Sequence, residues 1–107
     1  FVEEKNADYP ASIYLFYAYW CPYSQKAKKT WDNLKTNLNN KKINKYVLHF
    51  EEINDERDAS KLKDFETTYK KTIDGFPTII MIKDDNVIEF EAKPNQDTLN
   101  EFIHSVL

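Results

Sequence analysis

The sequence predicts an α/β protein in which a central mixed sheet of about four strands is flanked by helices on both faces, in the order β-α-β-α-β-β-α. Three observations predict it. An apolar and aromatic run at residues 12–18 leads directly into a segment where Tyr23, Ala27, Trp31, Leu34 and Leu38 recur at spacings of three and four, the pattern of a buried strand feeding one helical face. A second strand-then-helix pair follows in residues 47–71, and alternation of this kind packs helices against a sheet. Two further strand patterns, 78–83 and 87–91, are joined by Asp84-Asp85-Asn86, residue types that tolerate the positive φ of a tight antiparallel turn.

The elements follow in chain order. The polar Asn/Lys run at residues 37–45 should end the first helix, after which residues 47–53 read as a core strand parallel to the first. The acidic stretch 54–58 makes a loop. Ser60 is the expected N-cap of a helix that carries Leu62, Phe65 and Tyr69 on one face and lysines on the other, ending near Lys71. After the hairpin, Asp97 is the expected cap of a closing helix whose Leu99, Phe102, Ile103 and Val106 face inward. With a single glycine, Gly75, in the chain, the turns must be made by other residues.

Length and composition bound the rest. At 107 residues the chain is expected to be one domain large enough for its own core, spanning 1–107 with the core at 13–107 and a short charged segment at 1–10. Aromatic residues make up 15% of it and supply much of that core. A net charge of −3 and a pI near 5.4 argue against a nucleic-acid surface, which would need a basic patch. No run of eighteen apolar residues occurs, so no membrane partner is expected, and residues 1–10 do not read as a signal peptide. The chain starts at Phe1 rather than Met, which suggests processing and leaves room for a removed targeting segment.

The chemistry centres on Cys21, the only cysteine. It falls where the first strand gives way to the first helix, at or beside the helix N-cap, where free N–H groups and the positive end of the helix dipole favour thiolate over thiol. Its pKa should therefore lie below the roughly 8.5 of a free cysteine, which makes a nucleophile at neutral pH. Lys26, Lys28 and Lys29 could add to that effect or simply form a solvated face. His49 on a strand and His104 on the last helix have no Cys or carboxylate at ligand spacing, so both read as structural, and neither a metal nor a cofactor is expected.

Trp20-Cys21-Pro22-Tyr23-Ser24 after an aromatic strand resembles the Trp-Cys-x-x-Cys site of the thioredoxin superfamily, with serine in place of the second cysteine. Gly75-Phe76-Pro77-Thr78-Ile79 resembles the segment in which single-domain thioredoxins and protein disulfide isomerase domains carry a cis-proline opposite the cysteine. The two motifs stand in the family order, so the resemblance covers residues 13–107. It implies a thioredoxin fold with a cis-Pro at Pro77, Cys21 and Ser24 at the catalytic position, and a surface thiol ringed by Tyr19, Trp20, Tyr23 and Phe76. It further implies substrate binding by Trp20, Pro22, Tyr23, Phe76 and the backbone beside Pro77. Residues 1–10 are too short for the strand and helix that often precede this core in the family.

The departures from the family pattern narrow the subclass. Cys-Pro-Tyr is glutaredoxin-like, but no Gly-Gly-x-Asp segment follows Pro77, so no dedicated glutathione site is expected, and one cysteine supplies one ligand where an iron-sulfur cluster needs four. Leu15 stands where thioredoxins carry a buried Asp or Glu that serves the second cysteine, an omission that suits a monothiol site. Ser24 is either natural or a replacement of a resolving cysteine. The function expected from the resemblance is thiol-disulfide exchange through a single nucleophilic cysteine, of isomerase or deglutathionylation type, on protein clients that carry disulfides or thiols. An external thiol such as glutathione would complete the cycle. The alternatives are a redox-inactive binding module and a dithiol oxidoreductase altered at Ser24. A monomer or weak dimer is expected, and a lone cysteine suits a reducing cytoplasm, with the endoplasmic reticulum lumen as the other compartment.

Overall fold

A computed structural model describes residues 8–107. The element order is β1 (Tyr9–Tyr17), α1 (Pro22–Leu38), β2 (Lys42–Ile43), β3 (Tyr46–Asn54), α2 (Ala59–Tyr69), β4 (Thr78–Lys83), β5 (Asn86–Phe90) and α3 (Gln96–Val106). The strands form one mixed sheet in the order β2-β3-β1-β4-β5. It has five strands rather than four, because the polar run after α1 contains β2, a two-residue strand antiparallel to β3. Two residues are too few to leave a periodic signature.

β1 lies at the centre, parallel to β3 from Tyr9↔Tyr46 to Tyr17↔Asn54 and antiparallel to β4 from Ala11↔Lys83 to Phe16↔Thr78. It begins earlier than the apolar run suggested, at Tyr9, because pairing with Tyr46 and Val47 holds Tyr9 and Pro10 in the sheet. Of the charged N-terminal segment, residues 1–7 lie outside the described residues.

Both faces of the sheet are covered. On one, Ala27, Trp31 and Leu34 of α1 and Leu99 and Ile103 of α3 pack with Ile13, Leu15, Leu48, Phe50 and Met81. On the other, Phe65 of α2 meets Phe16, Ile53, Ile80 and Ile82, and its ring stands 4.8 Å from those of both Tyr14 and Phe16. This side-switching along β1 is the period-two geometry of a strand. The inward face of α1 is Ser24, Ala27, Trp31 and Leu34; Tyr23 is 68% exposed, so the position three before Ala27 belongs to the serine's side of the helix and not to the tyrosine's.

Backbone chemistry at the element ends differs from the simplest reading in two places. α2 starts after Asp58 rather than Ser60, because Asp58 closes the preceding turn by accepting the Asn54 N–H at 3.0 Å. The cap of α3 is Asn95 and not Asp97: Asn95 Oδ1 accepts the Thr98 N–H at 2.9 Å while Thr98 Oγ1 accepts the Asn95 N–H at 3.1 Å, a reciprocal capping box. Asp97 sits in the first turn, where its charge favours the helix dipole. Left-handed conformations fall on Asn40, Asn44, Lys70, Asp84 and Asp85, with the last two forming the β4–β5 turn.

The capping geometry makes a prediction: Asn95→Ala should lower unfolding free energy by about 1 kcal/mol, and Asp97→Ala by clearly less. Urea denaturation of the two variants checks the order, and a larger loss for Asp97→Ala would place the cap wrongly.

Candidate functional site at the end of the central strand

The carboxyl end of β1, the carboxyl end of its parallel neighbour β3 and the amino end of its antiparallel neighbour β4 lie at one edge of the sheet. Loops leaving the carboxyl ends of parallel strands are where open α/β sheets carry their sites. Here they bring together Tyr19-Trp20-Cys21, the Asp55–Asp58 turn and Phe76-Pro77.

Cys21 is the N-cap of α1, with extended backbone (φ −102°, ψ 116°), and Pro22 occupies the first helical position, where a missing N–H costs nothing. Cys21 N–H donates to the Ala18 carbonyl at 3.2 Å, and the thiol approaches the Phe76 carbonyl at 3.7 Å. The Phe76–Pro77 peptide bond is cis. Cys21 is 7% exposed, so it is not the surface thiol that the motif alone suggested. The turn closing on Ala18 and the Phe76 segment across from it leave only an edge of the residue open.

The thiol pKa is lowered. The largest cause is the Ser24 backbone N–H; burial opposes it, and the Ser24 hydroxyl and the Tyr23 backbone N–H add to the lowering. These are the free donors of the helix N-terminus aimed at one sulfur. The lysines are not the source: Lys28 spends its ammonium on Asp32 at 2.7 Å. Ser24 is fully buried, and its Oγ accepts the Ala18 N–H at 3.1 Å, so the same hydroxyl satisfies a buried backbone donor and faces the thiolate.

The aromatic residues divide. Trp20, 64% exposed, stands edge-on to Phe76 with ring centroids 6.3 Å apart, and its indole N–H donates to Asp55 Oδ2 at 2.9 Å. Tyr23, on the first turn of α1, is 68% exposed. Tyr19 does not join this rim: its ring packs on Tyr17 at 5.6 Å and its hydroxyl accepts from Arg57 at 3.1 Å. Asp55, Arg57 and Tyr17 were not anticipated from the sequence. The signal available was the parallel pairing of the first two long strands, which obliges the loop after the second to flank the loop after the first. His49 contacts Asn40 Oδ1 at 2.9 Å and His104 donates to the Asn100 carbonyl at 2.9 Å. Leu15, fully buried in the α1/α3 layer, leaves no carboxylate beneath the thiol. Its register partner Glu52 carries one a strand away, bound by Trp31 Nε1 at 3.2 Å and Lys35 Nζ at 2.9 Å.

The family described as Thioredoxin matches residues 2–105. The chain belongs to the thioredoxin family, whose general activity is thiol-disulfide oxidoreduction. No curated protein sequence matches it. Among solved structures, a malarial protein is similar with a TM-score of 0.68 at 16% identity, over 92% of this chain and 98% of that one. The first thioredoxin domain of mouse protein disulfide-isomerase A4 gives 0.64 at 16% identity, over 90% of this chain and 62% of that one. The J-Trx1 fragment of ERdj5 gives 0.68 at 12% identity, over 90% of this chain and 42% of that one. At these identities the likeness is one of fold.

The lowered thiol pKa fixes a pH dependence. Cys21 alkylation should rise with an apparent pKa below the free-thiol value of about 8.5, and Ser24→Ala, which removes one of the thiolate's donors, should move that midpoint upward. Because the folded-state pKa lies below the unfolded one, ionisation should add to stability as pH rises from the first to the second, and Cys21→Ala should remove that increment. Iodoacetamide rates against pH, with thiolate absorbance alongside, test this; an unshifted midpoint in Ser24→Ala would remove the hydroxyl from the account.

Proposed function

We propose that this protein performs thiol-disulfide exchange through Cys21 alone. The observation that carries the reading is the placement of Cys21 as N-cap of α1, its thiol 3.7 Å from the Phe76 carbonyl beside the cis Phe76–Pro77 bond, in a chain with no second cysteine. The Cys21 thiolate attacks one sulfur of a client disulfide, the S–S bond breaks, and the other client sulfur leaves as a thiolate. A mixed disulfide results. Ser24 occupies the resolving position and cannot attack it, so release comes from a second client thiol, which is isomerisation, or from an external thiol such as glutathione. Trp20, Tyr23 and Phe76 would line the client segment, with Pro22 and Pro77 framing the thiol.

A second reading, a binding module without redox chemistry, has one observation in its favour: Trp20 and Tyr23, flanking Cys21 in the chain, expose 64% and 68% of their surfaces. Client capture that survives Cys21→Ala under reducing and non-reducing conditions alike would support it.

Challenged with a small disulfide, the native chain should accumulate as a one-to-one mixed disulfide that persists until thiol is added, and Cys21→Ser should form none. Multiple-turnover insulin reduction should be slow, and Ser24→Cys should raise it by about tenfold or more, since an intramolecular thiol acts at a high effective concentration. Insulin reduction by the native chain at the rate of its Ser24→Cys variant would overturn the single-cysteine mechanism.

A further inference from the structure

Against the loop that leads into Cys21 lies a cavity of about 400 Å³ whose lining includes Ala18 and Tyr19 of that loop with Tyr17, Lys29, Glu52 and Arg57, and which Phe76 and Pro77 do not line, within the size range of ligand pockets. Its wall is the loop that holds the thiol. Cys21 N–H bonds to Ala18 O, and Gln25 Nε2 fixes the Tyr19 carbonyl at 2.9 Å. Three cations and one carboxylate line it, in a chain whose net charge is −3.

The polar groups in this cavity are mostly donors. Arg57 gives one N–H to Tyr19 Oη at 3.1 Å and another to Tyr17 Oη at 3.3 Å, while Asp58 Oδ2 holds its remaining side at 3.0 Å. The Tyr19 oxygen accepts from Arg57 at 3.1 Å, and no hydrogen-bond geometry places an acceptor on its own O–H among the described residues. Lys29 has no ion-pair partner among them either. The one carboxylate, Glu52, is already held by Lys35 and Trp31. A free ammonium and a guanidinium-polarised phenol O–H thus share a pocket whose acceptor is occupied.

We infer that this cavity is a carboxylate subsite, taking the Asp or Glu side chain of a client segment that flanks the cysteine under attack. The inference deepens the proposed thiol-disulfide exchange and rests on it. It assigns Lys29 and Tyr19 to selecting acidic clients and leaves bond breaking to Cys21. Charge selection of this kind acts through association and weakens with salt.

The test uses peptides whose single cysteine is a mixed disulfide with 2-thiopyridine. Cys21 thiolate attack on the peptide sulfur forms the protein–peptide disulfide and releases 2-thiopyridone, which is read by absorbance. Peptides carry Glu or Gln in turn at positions on either side of the cysteine. At the best position the Glu peptide should react about threefold to fivefold faster than its Gln partner at low salt, the range of an exposed ion pair. That ratio should fall towards one in Lys29→Gln and at high salt, and should persist in Lys26→Gln, a lysine on the same helix outside the cavity. A ratio of one at every position, or equal loss in Lys26→Gln and Lys29→Gln, would overturn the subsite. So would a Lys29 dependence confined to oxidised glutathione. Absence of release from the Gln peptides as well would remove the thiol reading and the subsite with it, whereas release without charge preference would remove the subsite alone.

Discussion

The structure depends on one constraint, the central position of β1. With β3 parallel on one side, β4 antiparallel on the other and helices over both faces, β1 has no free edge; only Tyr9 and Pro10 at its start are exposed, and Ile13, Leu15 and Phe16 are fully buried. Its second half is apolar or aromatic for that reason, and it cannot slip: a one-residue shift would exchange its α1/α3 face for its α2 face and put Phe16 where Leu15 packs. The fixed register fixes its end. Cys21 follows that end by one turn, and the two neighbouring strands deliver the Asp55–Asp58 turn and Phe76-Pro77 to the same place by the sense of their pairing.

At that place two opposing effects act on one sulfur. Enclosure by the loop and by Phe76 removes water and raises the thiol pKa, and the unsatisfied donors of α1 lower it. The donors prevail. They are intrinsic to any helix start, and Pro22 at the first position aims the chain without giving up a useful N–H. A residue just inside the surface, rather than on it, gains more from each donor because less water competes for the charge. The low exposure of Cys21 and its lowered pKa thus belong together. The price of the arrangement is access, since only an edge of the residue is open to an attacking or attacked sulfur.

How much of this was legible in the sequence follows from what each feature depends on. The four longer strands and three helices rest on hydrophobic period and were readable, as was the Asp84-Asp85 turn, where positive φ restricts the residue type. β2 was not, because a two-residue strand depends on its partner rather than on its own pattern. The caps at Asp58 and Asn95 were missed in favour of Ser60 and Asp97, residues of equal capping ability two positions away, since the choice is made by hydrogen bonds to Asn54 and Thr98. Left-handed Lys70 at the end of α2 is a position where glycine is usual, so composition gave no hint of it. Within the site, Cys21, Ser24, Trp20, Phe76 and Pro77 were identified by motif. Asp55 and Arg57 lay in a stretch whose acidic composition reads as solvated loop, and their roles exist only once β1 and β3 are paired.

Position 24 is the point where fold and chemistry meet. Its side chain is fully buried against β1, where the Ala18 N–H, itself inaccessible to water, requires an acceptor. A serine oxygen at 3.1 Å is a strong acceptor and keeps a proton to donate towards Cys21; a cysteine sulfur would accept weakly and hold the thiolate less well, while offering the nucleophile that serine lacks. Serine therefore favours the charged state of Cys21 and, under the proposed exchange, would leave release of a mixed disulfide to an outside thiol. Leu15 fits the same logic: a buried carboxylate below the pair would serve to deprotonate a second thiol, and with a hydroxyl at 24 it would only add the cost of desolvating a charge. A leucine there contributes packing to the α1/α3 layer instead, which ties the composition of the core beneath the site to the number of thiols above it.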